Sequence, residues 1–257
     1  MARILAVTNQ KGGVGKTTTC VNLAASLGAA KQRVLLVDLD PQGNATMGSG
    51  VDKRALKSSV YELLIGADTL RNVRVRAPAG EYDLLPANRE LAGAEVEMVD
   101  LDRRELRLRE ALQEVEQDYD FVLIDCPPAL NLLTLNGLTA AHAVVIPMQC
   151  EYYALEGLSD LVATIRKVRA HLNTELAIEG LLRTMYDPRN TLAQQVSSQL
   201  IEHFGDKVYR TVIPRNVRLA EAPSHGVPVI TFDRASKGAQ AYLALAEEVL
   251  SRHAQTA

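Results

Sequence analysis

Seven short apolar segments alternate with longer segments of helical periodicity along this 257-residue chain. The apolar segments are rich in Val, Ile and Leu, and most show no polar face, which is typical of strands buried on both sides of a parallel sheet. Helices between such strands form right-handed crossovers. The pattern therefore predicts an α/β fold with a doubly wound, mostly parallel sheet and helices on both faces. The predicted strands are 3–9, 33–40, 82–87, 120–128, 143–149, 177–186 and 207–214; the predicted helices are 16–30, two pieces within 88–117, 131–141, 154–171, 191–204 and 235–252.

The composition limits the classes of protein to which the chain can belong. With 47% hydrophobic and 23% charged residues, it can bury a sizeable core. The formal net charge is -3, so any surface that binds nucleic acid has to be local. The three cysteines are widely separated and form no CxxC pair, which argues against a disulfide framework or a metal cluster and fits a reducing cytoplasm.

The chain carries no sign of a membrane span or of a division into domains. No apolar run reaches about 18 residues, and no signal segment precedes the first strand. Proline and glycine mark the ends of elements without clustering into a linker, and no repeat is visible. We therefore expect one domain over residues 1–257 in a cytoplasmic protein that does not bind membranes.

A glycine-rich loop at residues 10–19, QKGGVGKTTT, joins the first predicted strand to the first predicted helix. A helix N-terminus offers unpaired N–H groups to a phosphate, and glycine lets the backbone come close to the anion. In such a loop Lys16 reaches the β- and γ-phosphates of ATP, and the Thr17 hydroxyl binds Mg²⁺. Gln10 stands where the usual G-x-x-x-x-G-K-[ST] pattern has glycine. The predicted nucleotide-binding residues of the loop are Gly12, Gly13, Val14, Gly15, Lys16, Thr17 and Thr18.

Three aspartates stand at the ends of predicted strands. Asp38 and Asp40 are two residues apart, so both carboxylates lie on one face at the carboxyl edge of the strand. Asp40 is predicted to orient the attacking water and to belong to the metal site, with Asp38 supporting the metal and the lysine. Asp125 ends another strand, where a carboxylate holds Mg²⁺ directly or through water. The predicted metal-site residues are Thr17, Asp40 and Asp125.

The residues K-G-G-x-G-K-T-T at 11–18 resemble the deviant Walker A family, which includes the ParA and Soj partition ATPases, MinD and nitrogenase iron protein-like enzymes. The resemblance implies that Lys11 crosses a dimer interface and contacts the phosphates of the nucleotide bound by the other subunit. An ammonium from each subunit offsets the charge of two facing ATP molecules. Lys11 is therefore predicted to bind nucleotide and, with Lys16 and Asp40, to be catalytic, in a homodimer that forms with ATP. The alternative for Lys11 is a solvated loop lysine.

Five further stretches look like the ParA/Soj branch of this family: DPQGNAT (40–46), LAGAEVE (91–97), DCPPAL (125–130), QCEYYALEGL (149–158) and VIPRNVRLAEAPSHG (212–226). The resemblance implies a DNA-partition ATPase that is slow alone, is stimulated by a ParB/Spo0J-type centromere-binding protein, and associates with the nucleoid. It also implies that Pro214 and Asn216 contact the adenosine. Because the loop begins by residue 10, we expect no helix-turn-helix region ahead of it.

The stretch from 207 to 219, KVYRTVIPRNVRL, contains four basic residues and no acidic residue. Contacts between such residues and phosphates give affinity for DNA without sequence preference. The resemblance implies that Arg189 and Arg218 hold double-stranded DNA, and we add Arg215 to this predicted surface. The alternative is that these arginines are solvated or pair with Asp187 and Glu221.

The alternative function is a MinD-like, nucleotide-gated positioning scaffold that acts at a membrane or a cell pole. A protein of that type is expected to end in a basic amphipathic helix that lies on anionic lipid. The C-terminal segment, AYLALAEEVLSRHAQTA, has two glutamates, one arginine and no large aromatic residue besides Tyr242. The sequence therefore disfavours membrane binding.

Overall fold

The computed structural model describes residues 2–256, which form an eight-stranded sheet in the order β3-β4-β2-β5-β1-β6-β7-β8. All neighbouring strands are parallel except β3 and β4, which are antiparallel. The predicted doubly wound, mostly parallel α/β fold is confirmed. The strands are β1 Arg3–Val7, β2 Val34–Asp38, β3 Val75–Arg76, β4 Asp83–Leu85, β5 Phe121–Asp125, β6 Ala143–Met148, β7 Ala177–Tyr186 and β8 Val208–Pro214.

Each predicted strand and helix is present, and the structure adds several short elements. Strand β3 and the helices α2, α3, α4, α10 and α11 were not predicted, because segments this short do not complete a recognisable hydrophobic period. The helices are α1 Lys16–Ala29, α2 Asn44–Gly48, α3 Val60–Ile65, α4 Leu70–Val73, α5 Leu91–Glu97, α6 Arg107–Gln113, α7 Leu132–Ala140, α8 Ala154–His171, α9 Thr191–Phe204, α10 Val217–Glu221, α11 Val229–Phe232 and α12 Lys237–Thr256.

The sheet separates two hydrophobic cores, because successive side chains of a strand point to opposite faces. In β1, Ile4 and Ala6 pack into one core, and Leu5 and Val7 pack into the other. Every residue of β2, β5 and β6 is buried. This burial on both faces is the physical reason why these segments of the sequence show no polar alternation.

The C-terminal helix α12 uses its apolar face inside the fold. Ala239, Tyr242, Leu245, Ala246 and Val249 recur at three- to four-residue spacing, are buried, and belong to the core that α1 also lines. Protein atoms therefore already cover the apolar face of this helix. None of the helices within residues 2–256 is both long enough and apolar enough to cross a membrane.

The register of the central strands determines which loops meet. Asp125 of β5 pairs with Val7 of β1 on one side and with Asp38 of β2 on the other. On the far side of β1, Tyr186 of β7 pairs with Pro214 of β8. All these residues end strands, so the loops that follow them gather at the carboxyl edge of the sheet, where ligands of such folds bind.

Candidate functional site

The loop between β1 and α1 adopts a conformation that requires glycine. Gly13 and Gly15 have φ angles of 75° and 89°, in the left-handed region. A Cβ atom built on Gly12 or Gly13 meets no atom within 4 Å, so the loop faces open space there. Helix α1 begins directly after Gly15 and has no acidic residue in its first turn. An open glycine loop leading into a helix N-terminus fits a bound phosphate group.

Two polar side chains, one in β7 and one directly after β6, hold the backbone of this loop. Thr184 of β7 donates its hydroxyl to the Val14 carbonyl at 2.8 Å, and the Gln149 amide donates to the Gly13 carbonyl at 3.1 Å. These carbonyls therefore face the strands and not the open side of the loop. The sequence did not predict these two roles, because a polar residue near a strand end looks the same whether it supports a distant loop or lies in an ordinary turn.

Lys16 lies between the loop and two carboxylates. Its side chain is buried, and its Nζ donates to the Lys11 carbonyl at 3.3 Å. Burial lowers the pKa of Lys16, whereas the nearby carboxylates of Asp125 and Asp40 oppose that shift. The structure thus brings together Lys16, Asp40 and Asp125, as their positions at strand ends and in the loop predicted.

Asp125 offers an oxygen to a ligand. The residue is buried at the end of β5, and its Oδ2 has no hydrogen-bond partner within residues 2–256. Burial raises the pKa of Asp125, the Asp38 carboxylate raises it further, and the Thr17 hydroxyl opposes the rise. A carboxylate oxygen without a partner and a nearby hydroxyl are oxygen ligands that fit Mg²⁺, and the neighbouring lysine fits the phosphates of a nucleotide.

Asp38 has hydrogen-bond partners that the sequence did not predict. Its buried carboxylate accepts hydrogen bonds from the Asp40 amide at 3.1 Å, the Thr46 amide at 2.8 Å and the Thr46 hydroxyl at 2.7 Å. These bonds tie Asp38 to α2 and to the backbone of Asp40, and its carboxylate also lies near enough to Asp125 to raise the pKa of that residue. The short helix α2, which carries Thr46 back to the end of β2, had no periodic signal in the sequence. Asp40 is partly exposed, and its Oδ1 accepts from the Gln42 amide at 2.9 Å.

The side chain of Lys11 is bound within its own subunit. Its Nζ lies 2.6 Å from Oε2 of Glu151, and both side chains are about half exposed. Its backbone amide donates to Oδ1 of Asn9 at 3.0 Å. Lys11 therefore has a partner within its own chain, and its contact with a second subunit stays a prediction. Glu151 belongs to the stretch QCEYYALEGL, but its pairing with Lys11 was not predicted.

A cavity of about 180 Å³ lies beside the loop, between the first turn of α1 and the segment that follows β8. Its lining includes Thr18, Met185, Pro214 and Asn216. Met185 has a φ angle of 49°, which is unusual for a residue other than glycine. The fold thus brings Pro214 and Asn216 next to the phosphate loop, although they are far from it in sequence.

The three arginines predicted to bind DNA follow the carboxyl ends of β7 and β8. Arg189 pairs with Asp187 at 2.8 Å, and Arg218 pairs with Glu221 at 2.7 Å. Both pairs join the partners named in our alternative for these arginines, and their binding of DNA stays a prediction. Arg215 is exposed and forms no ion pair with any residue of the described range 2–256.

Histidine, cysteine and carboxylate side chains do not form a metal cage of three or more members anywhere in residues 2–256. The three cysteines are free and buried. Mg²⁺ that is bound together with a nucleotide needs only one or two carboxylates, because water and phosphate oxygens supply its other ligands. The arrangement of Asp125, Thr17 and Asp40 is sufficient for this kind of site.

The chain matches known proteins over nearly its whole length. A family model described as an AAA domain matches residues 2–178. The chain is 55% identical to the chromosome-partitioning ATPase Soj of Thermus thermophilus, over 97% of this chain and 96% of that protein. It is 50% identical to the chromosome partitioning protein ParA of Caulobacter vibrioides, over 97% of this chain and 94% of the relative.

A solved structure with a bound nucleotide shares the overall fold of this chain. The crystal structure of a Mycobacterium smegmatis protein described as cobyrinic acid a,c-diamide synthase contains ADP and magnesium. It matches this chain with a TM-score of 0.86 and 42% identity, covering 99% of this chain and 96% of the other. The partition proteins are more similar in sequence and cover a similar share of the chain. The glycine loop, the strand-end aspartates and these identities together show that the chain belongs to the ParA/Soj family of chromosome-partitioning ATPases.

Proposed function

We propose that this chain binds ATP and Mg²⁺ at residues 11–18 and hydrolyses ATP to drive DNA partition. The observation that carries the proposal is the unpartnered Oδ2 of buried Asp125, which lies beside Lys16 at the foot of an open glycine loop. A buried carboxylate oxygen that no hydrogen-bond donor or ligand pairs lowers the stability of the folded protein. A bound nucleotide with its cation explains why the oxygen is left unpaired.

The residues of the site divide the work of phosphoryl transfer. The loop amides and Lys16 hold the phosphates, while Pro214 and Asn216 contact the adenosine. When bound through Thr17, Asp40 and Asp125, Mg²⁺ neutralises phosphate charge. Asp40 orients a water whose oxygen attacks the γ-phosphorus, the bond to the oxygen that bridges to the β-phosphate breaks, and ADP and phosphate leave.

We further propose that ATP controls a homodimer through Lys11. In the single chain the Lys11 ammonium is neutralised by Glu151. A nucleotide on a second subunit offers several phosphate charges instead of one carboxylate, so Lys11 leaves Glu151 and crosses the interface. Dimer formation then depends on ATP, and hydrolysis returns monomers.

The dimer is proposed to bind double-stranded DNA without sequence preference through Arg189, Arg215 and Arg218. Arg215 is the strongest support for this surface, because its side chain is exposed and forms no ion pair within the described residues. At Arg189 and Arg218, a DNA phosphate first has to displace a carboxylate. We propose that turnover is slow until a ParB/Spo0J-type protein stimulates it, and that DNA binding places the protein on the nucleoid. Residues 1–257 act as a single ATPase domain in this proposal.

Two experiments test the function. Calorimetric titration of ATP into Lys16→Ala is expected to show no binding. Lys31 is an exposed lysine that pairs with Glu81, and its variant Lys31→Ala is the control that should bind ATP normally. If Lys16→Ala keeps its affinity for ATP, residues 11–18 are not the nucleotide-binding site. Co-sedimentation of the ATP-bound protein with DNA or with anionic vesicles separates partition from the MinD-like alternative. Binding to vesicles alone, without DNA, contradicts the partition function.

A further inference from the structure

Thr46 of α2 connects three separate segments near the site. Its hydroxyl donates to Oδ2 of Asp38 at 2.7 Å and accepts from the Ala87 amide at 2.9 Å. Its own amide donates to the same Asp38 oxygen at 2.8 Å. Thr46 and Asp38 are both fully buried. One side chain thus joins the end of β2, helix α2 and the segment that follows β4.

The other oxygen of Asp38 holds the backbone of Asp40. Oδ1 of Asp38 accepts the Asp40 amide at 3.1 Å, and the Asp40 carbonyl accepts the Gly43 amide at 2.8 Å, which closes a turn. Gly43 has a φ angle of 60°, and a Cβ atom built there lies only 2.6 Å from the Ala87 carbonyl oxygen. The turn that carries Asp40 is therefore pressed against Ala87, the residue that Thr46 also binds.

A buried carboxylate keeps its position only while its hydrogen bonds are made. Taking a charge out of water is costly unless donors replace the water, and hydrogen bonds to a charged oxygen are short and strong. Asp38 has two such donors from Thr46 and one from Asp40. Removing the Thr46 hydroxyl takes one of three donors from Asp38 and leaves the Ala87 amide unpaired, so both supports of the Asp40 turn are weakened together.

We propose that Thr46 is a positioning residue for ATP hydrolysis. Through Asp38 it holds the Asp40 backbone, and through Ala87 it holds the surface on which the Asp40 turn packs. The inference rests on the proposed role of Asp40 in orienting water. An error of about 1 Å in the position of a reacting group can slow a reaction by about a hundredfold. Thr46 acts on Asp40 through Asp38, so losing its hydroxyl can slow turnover strongly although Thr46 does not touch the substrate.

Ser49 provides a matched control in the same region. It is fully buried, donates its hydroxyl to the Ala45 carbonyl at 2.7 Å and accepts from the Tyr82 hydroxyl at 2.7 Å. These bonds hold the end of α2, but they do not involve Asp38 or Asp40. Ser49→Ala therefore removes a comparable buried hydroxyl without touching the connection that we propose.

The experiment measures steady-state ATP hydrolysis by the full chain and three variants. Thr46→Val keeps the shape and loses the hydroxyl, and we expect kcat to fall about tenfold or more while the KM for ATP changes less than about threefold. Thr46→Ser keeps the hydroxyl and is expected to retain kcat within about threefold. Ser49→Ala is expected to retain kcat. If Thr46→Val fails to fold, Thr46→Ala is compared with Thr46→Ser in its place.

Two results overturn the inference: wild-type kcat in the variant that lacks the hydroxyl, or an equal loss of kcat in Ser49→Ala. Hydrogen exchange of the Asp40 amide gives a second readout that does not need hydrolysis. Faster exchange in Thr46→Val but not in Ser49→Ala supports the connection, and equal exchange in both overturns it. A wild-type chain that binds but never hydrolyses ATP contradicts the proposed function instead, and the exchange measurement still tests the connection.

Discussion

The Nζ of Lys11 lies 2.6 Å from Oε2 of Glu151 in the same chain. The lysine that we propose contacts the nucleotide of a second subunit therefore already has an ion-pair partner in its own subunit. Both side chains are about half exposed, and an ion pair in that environment contributes about 0.2–1 kcal/mol. Such a pair is weak enough for the phosphates of a bound nucleotide to replace it. Glu151 therefore competes with the dimer for Lys11 without preventing the dimer.

Replacing Glu151 is expected to favour the dimer. Glu151→Gln removes the competing charge, so the ATP concentration that gives half-maximal dimerisation should fall. We expect a fall of about two- to fivefold, because an exposed ion pair contributes little free energy. Light scattering during an ATP titration measures this change. Lys11→Ala is the companion variant: it should bind ATP and remain monomeric. An unchanged midpoint in Glu151→Gln, or a normal dimer in Lys11→Ala, contradicts the competition.

Replacing Asp40 is expected to stop turnover without preventing ATP binding. Asp40→Ala removes the carboxylate that we propose orients the water, while the glycine loop and Lys16 remain. We expect kcat to fall at least about a hundredfold, because general base assistance typically contributes about 10²–10⁴-fold. The ATP-bound dimer should then persist in size-exclusion chromatography. Turnover at the wild-type rate would exclude Asp40 from this role.

Arg215 and Arg189 are expected to contribute unequally to DNA binding. Arg215→Ala should lower affinity equally for unrelated sequences and reduce the slope of log K against log salt by about one unit, as the loss of one phosphate contact does. Arg189→Ala should have a smaller effect, because Arg189 first has to leave Asp187. Fluorescence anisotropy at several salt concentrations measures both slopes. A full unit lost in Arg189→Ala and none in Arg215→Ala would contradict this ranking, and an unchanged slope in both variants would place the DNA surface elsewhere.

His142 is expected to make stability depend on pH. Its Nδ1 accepts the Ile4 amide at 3.0 Å, which requires an unprotonated nitrogen. Burial lowers the pKa of His142 in the folded chain, and Arg3 contributes in the same direction. The unfolded chain, with a histidine pKa of about 6.5, therefore binds the proton first. The stabilisation is complete above about pH 6.5 and is lost as the pH falls toward the lowered value.

Urea unfolding at pH 7.5 and pH 5.5, two conditions that bracket about 6.5, measures this dependence. His142→Asn keeps a side-chain acceptor for the Ile4 amide but does not titrate, so its free energy of unfolding should change less between the two pH values. The exposed His171 provides the control variant, His171→Asn. An equal pH dependence in wild type and His142→Asn would show that another group titrates.

The fold and the centre of the site could be predicted because their signals are local. A strand that is buried on both faces needs a short apolar run, and a phosphate loop needs glycines and a lysine between a strand and a helix. Lys16 and Asp125 each follow directly from such a segment. Their meeting at one edge of the sheet follows from the parallel arrangement, because parallel strands end together.

The sequence by itself determined the α/β architecture, the phosphate loop and the strand-end aspartates, since each depends on neighbouring residues. Only the tertiary structure decided the partners of those residues. Thr46 binds Asp38, and Glu151 binds Lys11, because segments that the sequence pattern does not connect meet at the edge of the sheet. The physical reason is that a hydrogen bond or an ion pair depends on distances of about 3 Å, which a pattern of residue types does not specify.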